Sequence, residues 1–329
     1  MTARPPDTSP SLPRRALVPL QAWLLGCAWA TAAAEPPGAT SVYDRRVTAA
    51  SATASPAEAR PSAEDARAER MLSGSLAALA NAESFSARLR QKARVGDRVL
   101  VGTGRYLQLG RGEEQRYRFE SSLTCDTETF ELVEVCDGVF AWTYRHYGTD
   151  PPQLERLDVR RVRERLGQLG VPDPQVAAPY LGGLQRTFAG LRQWFLFMSA
   201  QPGEVEGLEV WVVDGHWHPD SLAGLMPELA AAARRPGGIT PAELPDGMPW
   251  RVRFCIGRSD LLPHRVEWHA IPGPRPAAGG EPEPVAVLEL EDMRINGPVD
   301  AGAFVYRPAA EGLIDLTEPH VAGLIPLRP

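Results

Sequence analysis

The chain lacks the short motifs that announce chemistry. It has no Gly-x-Ser-x-Gly elbow, no phosphate loop and no dinucleotide fingerprint. No two carboxylates can be assigned as acid and base, because the separation that matters is spatial. Glu128, Glu131 and Glu134 read as solvated groups on a strand. Histidine is scarce, with six residues, and His216-Trp217-His218 has no third ligand nearby. That triplet reads as a solvated turn after Asp214-Gly215, not a zinc site, and His264 and His269 read as part of a polar outer face. No metal, no cofactor and no enzymatic activity are expected.

A basic excess is missing too. The formal net charge is -6 and the sequence pI about 5.6. Residues 1–34 carry Arg4, Arg14 and Arg15 against Asp7, so the remainder stands at -8. A nucleic-acid partner would need a cationic footprint to neutralise phosphates, so none is expected. Cysteine is sparse, at four residues. With Cys27 removed or acylated, Cys125, Cys136 and Cys255 remain, and an odd number leaves at least one thiol free. Cys125 and Cys136 stand farther apart along extended chain than a disulfide reaches.

Long apolar runs are absent. Ala16 to Gly26 is almost wholly apolar but short and interrupted by Pro19, whereas a spanning helix needs about 20 residues. Preceded by Arg14-Arg15 and followed by Ala32-Ala33-Ala34, it has the three parts of a secretory signal over residues 1–34. Export to the periplasm or cell envelope is expected. Leu24-Leu25-Gly26-Cys27 offers a competing, lipobox-like processing site. Acylation of Cys27 would bring the protein into contact with a membrane surface. Both sites stay open.

Residues 35–62 are rich in Ala, Pro, Ser, Thr and Glu, a composition unable to repay its ordering entropy, and read as a linker. Order is expected from residue 63. Met71, Leu72, Leu76, Leu79 and Ala80 predict an amphipathic helix over Glu64–Asn81. Period-two segments follow at Phe85–Lys92, Arg98–Leu109, Gln115–Leu123, Phe130–Cys136 and Val139–Tyr147, the last two joined at Asp137-Gly138. Leu157 to Leu169 predicts a short helix, Ala177–Ser199 a second and Ser221–Arg235 a third. Strands are expected at Leu208–Val213, Trp250–Ile256, Arg265–Ala270, Val285–Ile295 and Ala303–Tyr306. Short turns between strands mean antiparallel pairing, and the absence of βαβ alternation excludes a nucleotide-binding α/β fold. The expected class is α+β: an antiparallel sheet with one dry face covered by helices.

Several stretches carry a family resemblance. They are Leu79-Ala80-Asn81-Ala82-Glu83-Ser84-Phe85-Ser86-Ala87, then Gly104-Arg105-Tyr106-Leu107 with Tyr117-Arg118-Phe119-Glu120, then Val135-Cys136-Asp137-Gly138-Val139-Phe140-Ala141-Trp142-Thr143-Tyr144. Asn296-Gly297-Pro298-Val299-Asp300 with Phe304-Val305-Tyr306-Arg307-Pro308 closes the series. In these the chain resembles the lipoprotein-carrier superfamily of LolA, LolB and RseB, as a divergent member. One domain over 63–316 is expected, with helical insertions near 170–200 and 219–248 and a C-terminal tail over 317–329.

The resemblance implies a strongly curved, open antiparallel sheet, an incomplete barrel, with helices packed on its concave side. It implies an apolar cleft that sequesters acyl chains of a lipid or lipoprotein, at about 0.8 kcal/mol per buried CH₂. Phe119, Phe140, Trp142, Tyr144, Trp250 and Phe254 are then candidates for the cleft lining, against the alternative that they pack the sheet on its helices. Arg111 stands nearest to the arginine that helps to close the carriers' helical lid, here without the adjacent proline. The alternative function is an envelope sensor or scaffold that uses the same fold to bind a protein partner.

Overall fold

A computed structural model of the chain describes residues 63–95, 98–170, 183–235, 238–270, 283–308 and 312–323. The expected signal segment, the linker and Cys27 lie outside the described residues. Helix α1 (Ala63–Asn81) opens the fold and is followed by strands β1 (Ser84–Val95), β2 (Arg98–Leu109), β3 (Arg116–Cys125), β4 (Glu128–Cys136), β5 (Phe140–Tyr147) and β6 (Gln153–Asp158). Helices α2 (Val159–Gln168) and α3 (Gly183–Trp194) separate these from β7 (Phe195–Val205) and β8 (Leu208–Trp217). After α4 (Pro219–Leu225) and α5 (Ala230–Arg234) come β9 (Arg251–Gly257), β10 (Pro263–His269), β11 (Ala286–Ile295), β12 (Leu313–Asp315) and α6 (Thr317–Gly323).

The strands form one twelve-stranded sheet, in the order β12-β6-β5-β4-β3-β2-β1-β11-β10-β9-β8-β7. All pairs are antiparallel except β12 with β6. β7 and β12 are its two ends, so the sheet is open. The turns are made by local chemistry. Between β4 and β5 the Asp137 carboxylate accepts from the backbone N–H of Val139 (2.8 Å) and Phe140 (2.7 Å), and Gly138 takes φ 94°.

The curvature follows from what α3 touches. Gly183 lies against Tyr106 on β2 and Tyr117 on β3, while Phe188 meets Phe254 on β9 edge-on at 5.4 Å. Five residues of helix rise about 8 Å. Five strand spacings, from β3 to β9, would span about 24 Å if flat. Side chains stand roughly perpendicular to a sheet and add little lateral reach, so the sheet must curl around α3. Gly183 has φ 72°, and a Cβ there would stand 3.0 Å from the Tyr106 hydroxyl. α1 crosses the same concavity: Gln108 on β2 donates to its Leu79 carbonyl (3.0 Å), and its Arg67 guanidinium lies 5.3 Å over the Trp211 ring on β8.

The two faces divide by parity. Phe85, Ala87, Leu89 and Ala93 of β1 point inward with Leu288 and Leu290 of β11, Val266 and Trp268 of β10, and Val252 and Phe254 of β9. The outer face carries a ladder of opposite charges. Arg90 pairs with Glu291 (2.8 Å), Arg265 with Glu289 and Glu267, and Arg253 with Asp214 (2.9 Å). Burial opposes ionisation of Glu267, but hydrogen bonds from His269 and Arg265 hold its carboxyl below the usual range.

Four local expectations are corrected. Phe195–Ser199 is strand, not the end of a helix: Leu191 and Phe195 fit a helical stripe, but Phe195 and Phe197 also alternate, and pairing with β8 prevails. The single helix expected over Ser221–Arg235 is broken at Pro227, which lacks an N–H and forces Met226 out of the helical region, to φ -133° and ψ 84°. His216 and Trp217 belong to β8, and His218 caps α4 by accepting from the Asp220 N–H (3.2 Å). The strand expected at Ala303–Tyr306 is instead a 3-10 turn, Ala301–Phe304, capped by Asp300. β6 is an additional strand, and part of the expected C-terminal tail forms α6.

Candidate functional site

The concave surface is the first candidate. Among the described residues it is roofed by α1 and α3. α1 buries Ala68, Leu72, Ser75 and Leu79, at positions three or four apart. α3 buries Leu184, Gln185, Thr187, Phe188 and Leu191. Beneath them lie Phe254 and Phe197, 5.5 Å apart, and Phe195 against Trp217 at 4.6 Å. Gly215 leaves room for the Phe197 ring, which a Cβ there would meet at 2.6 Å. The protein's own side chains thus fill this part of the concavity.

Toward β6 the concave face turns polar. Glu134, Thr143 and Glu155 are cross-strand partners on β4, β5 and β6. The Arg145 guanidinium is 5% exposed and pairs with Glu155 at 2.7 Å. Burial pushes the nearby Tyr147 hydroxyl up to about 12, with Arg145 opposing the rise.

The structure divides the aromatic residues singled out from the sequence between two faces. Phe119 and Phe254 are buried and face inward. Phe140, Trp142 and Tyr144 project from the outer face of β5, in the rows of Arg118 and Glu120. There the segment 300–308 crosses them: Tyr306 lies 6.1 Å from Trp142, Phe304 is buried, and Arg118 donates to the Ala303 carbonyl (3.0 Å). Arg156 stacks over both Phe140 and Trp142. Trp250 stands half-buried just before β9, between His216 (5.5 Å) and Arg251 (4.8 Å). Arg111 is exposed and pairs with Glu83, just beyond α1, at 3.2 Å. These seven residues therefore do not converge on one cleft.

A second site has no counterpart in the sequence reading. β10 pairs with β11 only as far as Arg265 opposite Glu289, while β11 continues to Ile295 against β1. The notch beyond β10 holds a cavity of about 310 Å³, walled by the β7–β8 turn (Val205, Glu206, Leu208) and the β9–β10 turn (Asp260, Leu262). Its walls come from turns separated by some fifty residues and a strand thirty further on, so no local pattern signals it.

Cys125, Cys136 and Cys255 are free and buried, and burial pushes the thiols of Cys136 and Cys255 up to about 11 and about 12. Among the described residues no group of three or more His, Cys, Asp or Glu side chains could hold a metal ion, and no helix is long and apolar enough to cross a membrane.

No protein-family model matches the chain, and no curated protein matches its sequence. Solved structures are similar to it. The Pseudomonas aeruginosa MucA/MucB complex aligns over 73% of this chain at 11% identity and TM-score 0.37. The Mycobacterium tuberculosis lipoprotein LppX aligns over 72% of this chain and 99% of its own, at 10% identity and TM-score 0.31. LprF from Mycobacterium bovis aligns over 72% of this chain and 97% of its own, at 12% identity and TM-score 0.30. The chain covers 61% of the matched chain in the MucA/MucB complex.

Proposed function

We propose that this is an exported, non-enzymatic binding protein that shelters acyl chains of a lipid or lipoprotein between its concave sheet and its helical roof. The observation that carries the reading is the roof. A continuous apolar face running from β1 through β11, β10 and β9 is covered among the described residues by α1 and α3, with Leu222 of α4, Ala233 of α5 and Leu244 joining the same buried cluster. An acyl chain demands area and little geometry, which such a face supplies.

Magnitudes favour α1 as the element that moves. Its large buried side chains are Leu72 and Leu79; exposing each costs about 1.5–3 kcal/mol. α3 would expose Leu184, Phe188 and Leu191, each at a similar cost. A chain of about twelve carbons recovers about 9 kcal/mol at 0.8 kcal/mol per CH₂, enough to offset the displacement of α1. Opening at α1 also uncovers the free edge of the sheet at β7, so no strand need part from its neighbour.

The test locks the roof. A Cβ on Gly74 would stand 3.7 Å from Leu261 Cδ1 in the β9–β10 turn, so the two positions adjoin, and Gly74→Cys with Leu261→Cys is the pair to oxidise, the loss of two hydrogens by mass showing that the disulfide has formed. Native mass spectrometry of the mature protein, with a fluorescent fatty acid as probe, should show uptake by the wild type and the reduced variant and none by the oxidised variant. Equal uptake by the oxidised variant, or no uptake by any form, overturns the reading.

A further inference from the structure

We propose that the notch beyond β10 receives a short extended segment of a partner protein bearing lysine or arginine, added as a strand along Leu290–Ile295 of β11. The inference is independent of the acyl reading.

The first support is the backbone. β11 is paired with β1 out to Phe85 opposite Ile295. On its other side the pairing with β10 ends at Glu289, and among the described residues no strand pairs with Leu290–Ile295 there. A strand edge offers N–H and C=O groups that an incoming extended chain can pair with. The irregularity at Asp292, where φ is 51°, keeps the added strand short.

The second support is the cavity beside that edge. Val205, Leu208, Leu262, Leu290 and Met293 give it apolar walls, and about 310 Å³ accommodates a long side chain. In an added strand every second residue points to the same side, so one side chain can enter while its neighbours face away.

The third support is charge. Glu206, Asp260, Glu289, Glu291 and Asp292 line the notch, with Arg265 and His264. Arg88 and Arg90 reach across from β1 to Glu291, and Arg88 also to Asp292 (3.2 Å). Asp260 is engaged by His264 at 3.0 Å and by the Leu262 N–H at 2.9 Å. Five carboxylates thus face three arginines, and Glu206, exposed at the turn tip, makes no close ion pair among the described residues, its charge reaching only as far as Arg90. A lysine or arginine can lay its aliphatic stem on the apolar walls while its head reaches the carboxylates. An acidic strand would meet repulsion, so the surplus carboxylates select a basic partner.

Fluorescence anisotropy on the mature protein tests this with a labelled peptide of alternating lysine and valine and its glutamate–valine counterpart. The basic peptide should bind saturably, weaken with added salt and slow hydrogen exchange at residues 290–295. Glu206→Lys, at an exposed turn, should weaken binding about fivefold, and Leu208→Trp, which fills the cavity, should weaken it further. Equal binding of the acidic peptide, no effect of Glu206→Lys, or protection confined to another region overturns the proposal. Because no residue of α1 or α3 lines the notch, fatty-acid uptake should persist in both, and its loss from the wild type would leave the peptide result standing.

Discussion

Replacing Phe188 by alanine removes the side chain on which the curvature of the sheet closes. The ring is 1% exposed and packs edge-on against Phe254 at 5.4 Å, beneath a helix that also touches β2 and β3 through Gly183. Truncating a fully buried phenylalanine costs about 3–5 kcal/mol, the sum of lost transfer energy and an incompletely collapsed cavity. The edge-to-face contact accounts for about 0.5–1.5 kcal/mol of that. For a domain of this size each kcal/mol lowers Tm by about 2–4 °C, so the transition should fall by about 6–20 °C. Denaturant unfolding followed by tryptophan fluorescence is the assay, with the midpoint expected to drop while the slope is kept. Phe254 meets the ring directly, and Phe197 packs against Phe254 in turn. A loss below about 1 kcal/mol would mean that α3 does not hold the two halves of the sheet together, and the account of the fold would fail with it. If acyl chains occupy the concavity, the hole should also admit them, so saturating fatty acid should restore part of the lost Tm.

Two further outcomes are expected. His320 on α6 is half-buried near Arg186, and burial first, then that cation, depress its pKa to about 4. A histidine whose folded pKa lies below its unfolded value contributes stability that is complete above about pH 6.5 and is lost as pH falls toward 4. The loss is on the order of 3 kcal/mol, and hydrogen exchange at 317–323 should accelerate over that window in wild type but not in His320→Gln. The thiols of Cys125, Cys136 and Cys255 are buried, with Cys136 and Cys255 raised to about 11 and about 12. A thiol reagent at pH 8 should therefore leave all three unmodified in the native protein and modify all three after unfolding. Recovery of any of them as a disulfide would contradict the structure.

The alternation of the strands, the Asp137-Gly138 turn and the first amphipathic helix are all legible in the sequence, because each is set by residues within a few positions of one another. The class of fold follows from them, and so does the presence of one dry and one wet face. Which residues share a face across strands is not legible. Phe119 and Trp142 each sit in a clean period-two segment, yet they lie on opposite faces of the sheet. Period two assigns sides only within a strand, and the register that relates β5 to β3 is written in pairings through β4. The switch from helix to strand at Phe195 is likewise hidden, since two aromatic residues two apart and a leucine four before satisfy both periods, and only the β8 ladder decides. The notch at β11 is the extreme case: it exists because one strand stops short of its neighbour. Length mismatch between strands more than fifteen residues apart is a property of the assembled sheet, and no residue in the notch carries a local sign of it. Local physics thus determined the elements and their wet and dry sides, while long-range pairing alone decided where those sides meet and where an edge is left open.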